Sequence, residues 1–254
     1  MDYSHSGKSG HERILAMGEA IKDRPTPEKE TMSENKRGLT GRSVGRPAIM
    51  SRESIGRAAL AELDGISSTK VAKRLGVGQS SLYRHITDRA DLVRLAVDFG
   101  LTQQEWPEPG DSWRGYLLDF ATSFWNFLDR HPGASQEIKM MRPSPAGLIS
   151  AATKIAQDLM GFGFSAADAN MAVDVVGHIT MDTMISEEIF RSRDAHGVLV
   201  RDEQRAAWSA QEDPVLAAET LRAIDDGMYR LLLERTELLL DGFEFRLSKV
   251  QKVN

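Results

Sequence analysis

The sequence predicts an all-α chain: an N-terminal three-helix head carrying a helix-turn-helix, followed by a larger C-terminal helical body. Three observations carry this reading. Apolar residues recur at three- and four-residue spacing along most of the chain after residue 50. Ser67 to Thr87 (S-S-T-K-V-A-K-R-L-G-V-G-Q-S-S-L-Y-R-H-I-T) reads as two short helices joined by a tight turn. Charge is also divided unevenly. Residues 36–94 hold 12 Lys and Arg against 5 Asp and Glu, whereas residues 95–254 hold 15 against 25, within a net charge of −5. A basic segment on an acidic body is the footprint of a phosphate-binding module attached to a differently employed domain.

Residues 1–45 are rich in Gly, Ser, Pro and charge, which predicts disorder, with Glu12 to Lys22 as one candidate amphipathic helix. Lys36, Arg37, Arg42 and Arg46 form a basic arm. Such an arm can follow a phosphate backbone or enter a minor groove, and a flexible solubilising tail has the same composition. A first helix is expected to run to about Leu63, burying Ile55, Ala58, Ala59 and Leu63, with Asp64-Gly65 ending it. In the next helix Val71, Ala72 and Leu75 face inward, and Gly76 stops it because a residue without Cβ enters the left-handed region cheaply. Gln79 to Ile86 is predicted as the second helix of the pair, with Leu82 and Ile86 inward and Gln79, Ser80, Tyr83, Arg84 and His85 outward. A helix-turn-helix holds its base-reading and phosphate-contacting groups there, although an ordinary αα-corner shares the pattern. Thr87 or Asp88 then caps a strut helix over 88–104 that buries Leu92, Leu95, Ala96 and Phe99.

Trp106-Pro-Glu-Pro-Gly110 breaks the chain. Asp111 or Ser112 starts a helix to about Arg130, and His131-Pro132-Gly133 ends it. Ala146–Met160 and a helix from Ser165 to about Phe190 follow. Arg191 to Pro214 is polar and reads as a loop or partly ordered insert. A last helix is expected from Asp225 to about Val250, with Met228, Leu231, Leu232, Leu238, Leu239, Phe243 and Leu247 recurring at helical spacing. That apolar face is wide for a terminal helix. Together with the 165–190 helix it reads as half of a four-helix homodimer interface, the other reading being intramolecular core.

Composition excludes several classes. Without cysteine there are no disulfides, Cys-zinc sites or thiol catalysis. With no run of 18 apolar residues and an opening of M-D-Y-S-H-S-G-K, neither a membrane span nor export is expected, and a cytoplasmic location follows. No G-x-G-x-x-G, Walker-type loop, H-E-x-x-H or G-x-S-x-G occurs, so neither an enzyme nor a cofactor is expected.

Further motifs point in one direction: R-E-S-I-x-x-A-A-L, V-A-K-R-L-G-V-x-Q-x-x-L-Y-x-H-I, G-D-S-W-R, G-F-S-A-A-D, V-V-G-H-I-T and L-L-D-G-F-E-F-R-L. On these the chain resembles the tetracycline repressor (TetR) family, and its tetracycline repressor branch from about Arg46 onward. The resemblance implies a homodimeric repressor whose head, residues 46–95, binds a palindromic operator in double-stranded DNA. It further implies that a small-molecule effector in the body, residues 96–254, moves the fourth helix to release DNA. Gln79, Ser80, Tyr83, His85 and Arg89 fall where the family contacts bases or phosphates, with Arg46, Ser68, Thr69, Ser81 and Arg84 as further candidates. Thr69 stands where the branch has a guanine-reading arginine, and Arg84 replaces an aromatic residue, which implies a different operator.

The resemblance also locates an effector pocket, for which Phe99, Gln103, Trp106, Phe120, Phe124, Ile138, Met141, Val175, His178 and Met181 are the candidates. Tetracycline repressors hold a drug–magnesium complex with histidines and an asparagine. Here one histidine position falls within Thr102–Glu105, the asparagine falls at Phe120 and the metal histidine near Glu137 or Ile138. An apolar or aromatic effector without a metal is therefore expected. A ligand-independent DNA-binding or architectural protein on the same fold is the alternative.

Overall fold

A computed structural model of the chain describes residues 50–251, with side-chain surroundings through Ser248. The expected disorder of residues 1–45, the helix at Glu12 to Lys22 and the arm ending at Arg46 lie outside the described residues. From Arg52 onward the chain forms one unit of helices: α1 Arg52–Leu60, α2 Ser68–Leu75, α3 Gln79–Leu82, α4 Arg89–Gln103, α5 Trp113–Arg130, α6 Ala134–Met140, α7 Ala146–Gly161, α8 Ala166–Arg191, α9 Val200–Ser209, α10 Pro214–Asp226 and α11 Met228–Gln251.

Local chemistry fixes most of these boundaries. The Ser67 hydroxyl accepts from the Lys70 amide to open α2, and Gly76 closes it at φ 68° with its N–H on the Ala72 and Lys73 carbonyls. Asp88, Ser112 and Ser165 cap α4, α5 and α8 by accepting from the amides of Asp91, Gly115 and Asp168. Such caps satisfy amides that have no partner within the helix.

Four expectations need correction or narrowing. The first helix ends at Leu60 rather than Leu63; a turn follows, yet Leu63 and Ile66 are still buried. Helix α3 spans only Gln79–Leu82, because beyond it the His85 amide bonds back to Leu82 and the His85 carbonyl is taken by Arg52 of α1, at 3.1 Å. Residues 191–214 are a partly ordered insert rather than a loop throughout. The Asp194 carboxylate accepts from the amides of His196 and Val198 to form a turn, and α9 follows. The last helix does not begin at Asp225, since Gly227 at φ 91° separates α10, which opens on the Asp213 cap with Pro214 behind it, from α11.

The body's core is built around α5, whose Tyr116, Leu117, Phe120, Phe124, Phe127 and Leu128 are all buried. Helix α4 lies at unusually short range to its neighbours. A Cβ on Gly56 of α1 would come within 2.7 Å of the Leu95 carbonyl oxygen, and one on Gly100 within 2.9 Å of the Phe127 ring. One on Gly147 of α7 would meet the Leu101 Cβ at 2.8 Å. Backbone cannot yield as a side chain does, so these glycines set the spacing of α4 to α1, α5 and α7. Gly56→Ala should therefore cost about 1–3 kcal/mol, as overpacking does, seen as a lower melting temperature of the full chain. Unchanged stability would mean that α1 and α4 can separate freely.

Candidate functional site

Two sets of side chains stand out, one on the head and one in the body. On the head, Ser68 at the start of α2 gathers two residues of the reading segment. The Gln79 amide nitrogen donates to its hydroxyl at 2.7 Å, and the Tyr83 hydroxyl lies 3.1 Å from the same oxygen. This ties α2 to the segment that follows the turn, over a buried Val71, Ala72 and Leu82. Thr69, Gln79, Ser80, Tyr83 and Arg84 are exposed, with 49% of Tyr83 open to solvent, while Ser68, Ser81 and His85 are half-buried. A large aromatic residue held that far out, beside an amide and a guanidinium, suits base edges and phosphates better than a protein core.

Sequence reasoning passed over Lys70, Lys73 and Arg74. They surround a shallow depression beside the same surface, with Arg74 paired to Glu62 at 2.6 Å. Their signal was present in the sequence as K-V-A-K-R, whose exposed positions alternate with the buried Val71 and Ala72.

Arg89, at the first turn of α4, is engaged by the body. Its guanidinium donates to Glu137 of α6 at 2.7 Å, and its side chain remains more than half exposed. Farther along α4, Arg94 donates to the carbonyls of Arg142 and Pro143, and Asp98 accepts the Ala146 amide at the start of α7.

In the body, a cavity of about 460 Å³ opens among α5, α7 and α8. Phe120 and Phe124 form one wall, their rings nearly parallel at an interplanar angle of 7°, and Trp106 packs against both. Leu148 and Ala152 of α7 contribute, and α8 supplies the rest, including Asn170, Met171, Asp174, Gly177, His178 and Met181. Of the predicted effector residues, the cavity brings together Phe120, Phe124, His178 and Met181. Trp106 stands behind the aromatic wall.

The structure takes the others elsewhere. Phe99 lies against α1, with the Arg57 guanidinium 5.4 Å from its ring centre, and Gln103 is exposed at the end of α4. Ile138 and Met141 are buried at α6. Val175 sits about 100° round α8 from Asp174, past the arc that lines the cavity. The α8 lining positions Ala167, Met171, Asp174, His178 and Met181 follow helical spacing, so they were readable once His178 was singled out.

Tyr116 and Asp158 brace two of the cavity's walls, α5 and α7. The phenol donates to the carboxylate at 2.6 Å, and Lys154 adds a bond at 3.0 Å from the other side. Burial opposes the charge on Asp158, but these two hydrogen bonds outweigh it and hold its pKa below the usual carboxylate value. Burial, then the bond to Asp158, push the Tyr116 phenol well above its own. A magnesium site of the tetracycline repressor kind does not fit these residues. Phe120 and Phe124 wall the cavity without a ligating atom, Glu137 is committed to Arg89, and His178 is the one imidazole at the cavity. Among the described residues no group of three or more His, Asp and Glu is placed to hold a metal ion.

No family model matches the chain. It is similar to the tetracycline repressor protein class D of Escherichia coli, 29% identical over 191 residues that cover 74% of this chain and 84% of that protein. An HTH-type transcriptional regulator of Saccharopolyspora erythraea is 26% identical over 132 residues, 52% of this chain and 56% of the regulator. Among solved structures, apo ActR from Streptomyces coelicolor superposes with a TM-score of 0.64 at 17% identity, covering 80% of this chain and 99% of ActR. ActR in complex with actinorhodin gives 0.62 at 19%, over 77% and 95%. A TetR variant from Acinetobacter baumannii AYE in complex with minocycline gives 0.57 at 21%, over 78% and 98%.

Replacing Tyr116 by Phe should lower stability by about 1–2 kcal/mol at neutral pH through loss of a bond to a charged acceptor. Because the folded pKa of Asp158 is depressed, its contribution is full above about pH 4, the unfolded carboxylate value, and is lost as pH falls through the folded one. The gap between wild type and Tyr116→Phe in denaturant midpoint should therefore close in acid. A gap independent of pH would assign the loss to packing alone.

Proposed function

We propose that the chain is a TetR-family transcriptional repressor that binds a palindromic operator as a homodimer and is released by a small apolar or aromatic effector. Residues 46–95 serve as the DNA-binding head and 96–254 as the effector-binding and dimerisation body, acting in the cytoplasm. The observation that carries this reading is the position of α4. It begins at the reading head with Arg89, and its last turn meets α7, a wall of the cavity, at Gly147. A ligand that displaces α7 or α8 thus acts on the helix that orients the head.

For each subunit, Gln79 and Ser80 would meet base edges, Tyr83 a thymine methyl or the backbone, and Arg84, His85 and Arg89 phosphates, with Ser68, Thr69 and Ser81 alongside. Arg46 would extend the contact along the duplex. The second subunit would cover an apolar stripe on α11, where Leu238 and Phe245 lie seven residues apart and are 75% and 62% exposed. Such side chains repeated along one helix mark an interface rather than a solvated face. The relatives that bind minocycline and actinorhodin support a ligand in the body, and the Phe120–Phe124 wall supports an aromatic one.

The test is to sequence the host genomic fragments that the purified chain retains at near-physiological salt. A shared inverted repeat is expected, lost with Tyr83→Ala while the variant stays folded and dimeric. Retention without a common site, or a Tyr83→Ala variant that selects the same repeat unchanged, would overturn the reading.

A further inference from the structure

The rim of the cavity is chemically one-sided. Its apolar wall is Phe120, Phe124 and Met181, and its polar atoms come from one stripe of α8, Asn170, Asp174 and His178, at successive four-residue steps. Asp174 can only accept. The His178 Nδ1 lies 2.8 Å from the Asp174 carbonyl and 3.3 Å from its carboxylate, both acceptors. In the tautomer that this geometry favours Nδ1 carries the proton, and Nε2 is then a second acceptor. Asn170 can serve either way. No Lys or Arg lines the cavity, and its one carboxylate is that of Asp174.

We infer that the ligand of this cavity is a flat aromatic molecule bearing hydrogen-bond donors, a protonated amine above all, and that Asp174 selects against carboxylates. The inference rests on the reading of the cavity as the effector site and adds the sign of the effector's polar end. An anion would meet a carboxylate with no cation beside it, whereas an ammonium or phenol pairs with Asp174 and Nε2 while its rings lie along Phe120 and Phe124. The cavity, at about 460 Å³, accommodates a three-ring scaffold.

The test uses the full chain and two matched fluorescent probes, anthracenylmethylamine and anthracene carboxylate. Gly177→Leu serves as the blocking variant. Gly177 lines the cavity and a Cβ there meets nothing within 4 Å, so the longer side chain fills the space without strain in the helix. The amine should bind about fivefold or more tightly than the carboxylate, as a part-exposed ion pair allows. Asp174→Asn should bring the two within about twofold, and Gly177→Leu should block both with its melting temperature retained.

Equal binding of the two probes, or tighter binding of the carboxylate, blocked in either case by Gly177→Leu, would overturn the donor inference and leave the cavity as the effector site. A preference that survives Asp174→Asn would assign it to the acidic body at large and would equally overturn the inference. Binding of neither probe, or binding indifferent to Gly177→Leu, would remove the cavity reading and the inference together.

Discussion

Helix α4 can occupy its place only because three glycines, two on its neighbours and one of its own, lack side chains where the helices pass. Gly56 on α1 and Gly147 on α7 face its backbone and Cβ atoms, and its own Gly100 faces the Phe127 ring of α5. The head and the body thus meet α4 at fixed distances, and neither can shift without disturbing the other's packing. Polar contacts repeat the arrangement along its length. Arg89 reaches Glu137, Arg94 holds the chain before α7, and Asp98 accepts the first amide of α7. Close-packed interiors transmit displacement rather than absorb it. On the proposed function, a helix held at both ends is the element through which occupancy of the cavity would change the presentation of the head.

Much of this was legible in the sequence because it is locally determined. Ser67, Asp88, Ser112 and Ser165 mark helix starts by accepting from amides three residues on, Gly76 marks an end by donating to the Ala72 and Lys73 carbonyls, and the apolar spacing of α5 fixes its buried face without reference to partners. The misreadings share a different cause. Helix α3 gives way after Leu82 to three-residue bonds from Arg84 and His85, and Arg52, thirty-three positions earlier, takes the His85 carbonyl in a tertiary contact that sequence spacing does not encode. Helix α9 buries none of its residues, so no core packing secures it; Arg201 and Arg205 hold it to the end of α10 instead. Gly227 lies inside a continuous run of helical spacing and breaks it by backbone conformation alone.

The candidate sites divide in the same way. The head is short and contiguous, so its motif brings Ser68, Gln79 and Tyr83 together as the spacing implies. The cavity draws on three helices, and matching positions one at a time found its α5 wall and part of α8 but nothing of α7. Phe99 and Val175 lie off this cavity because a helix face is defined by its neighbours: Arg57 covers the first, and the second lies just past the lining arc. The departures from the tetracycline repressor pocket are coherent. Apolar rings stand where a metal complex would need polar ligands, and Glu137 serves an ion pair with the head.

On the proposed function, that ion pair places Arg89 in contention between the body and a phosphate. Arg89 cannot give its guanidinium fully to both, so Glu137 should lower DNA affinity in the resting protein. The most direct measurement is the affinity for the retained operator of Glu137→Gln beside the wild type, across a salt series. The account predicts about threefold to tenfold tighter binding with the helical fold unchanged, because the released arginine gains a phosphate contact. Equal or weaker binding by Glu137→Gln would contradict the claim that the two halves of the molecule meet at the start of α4.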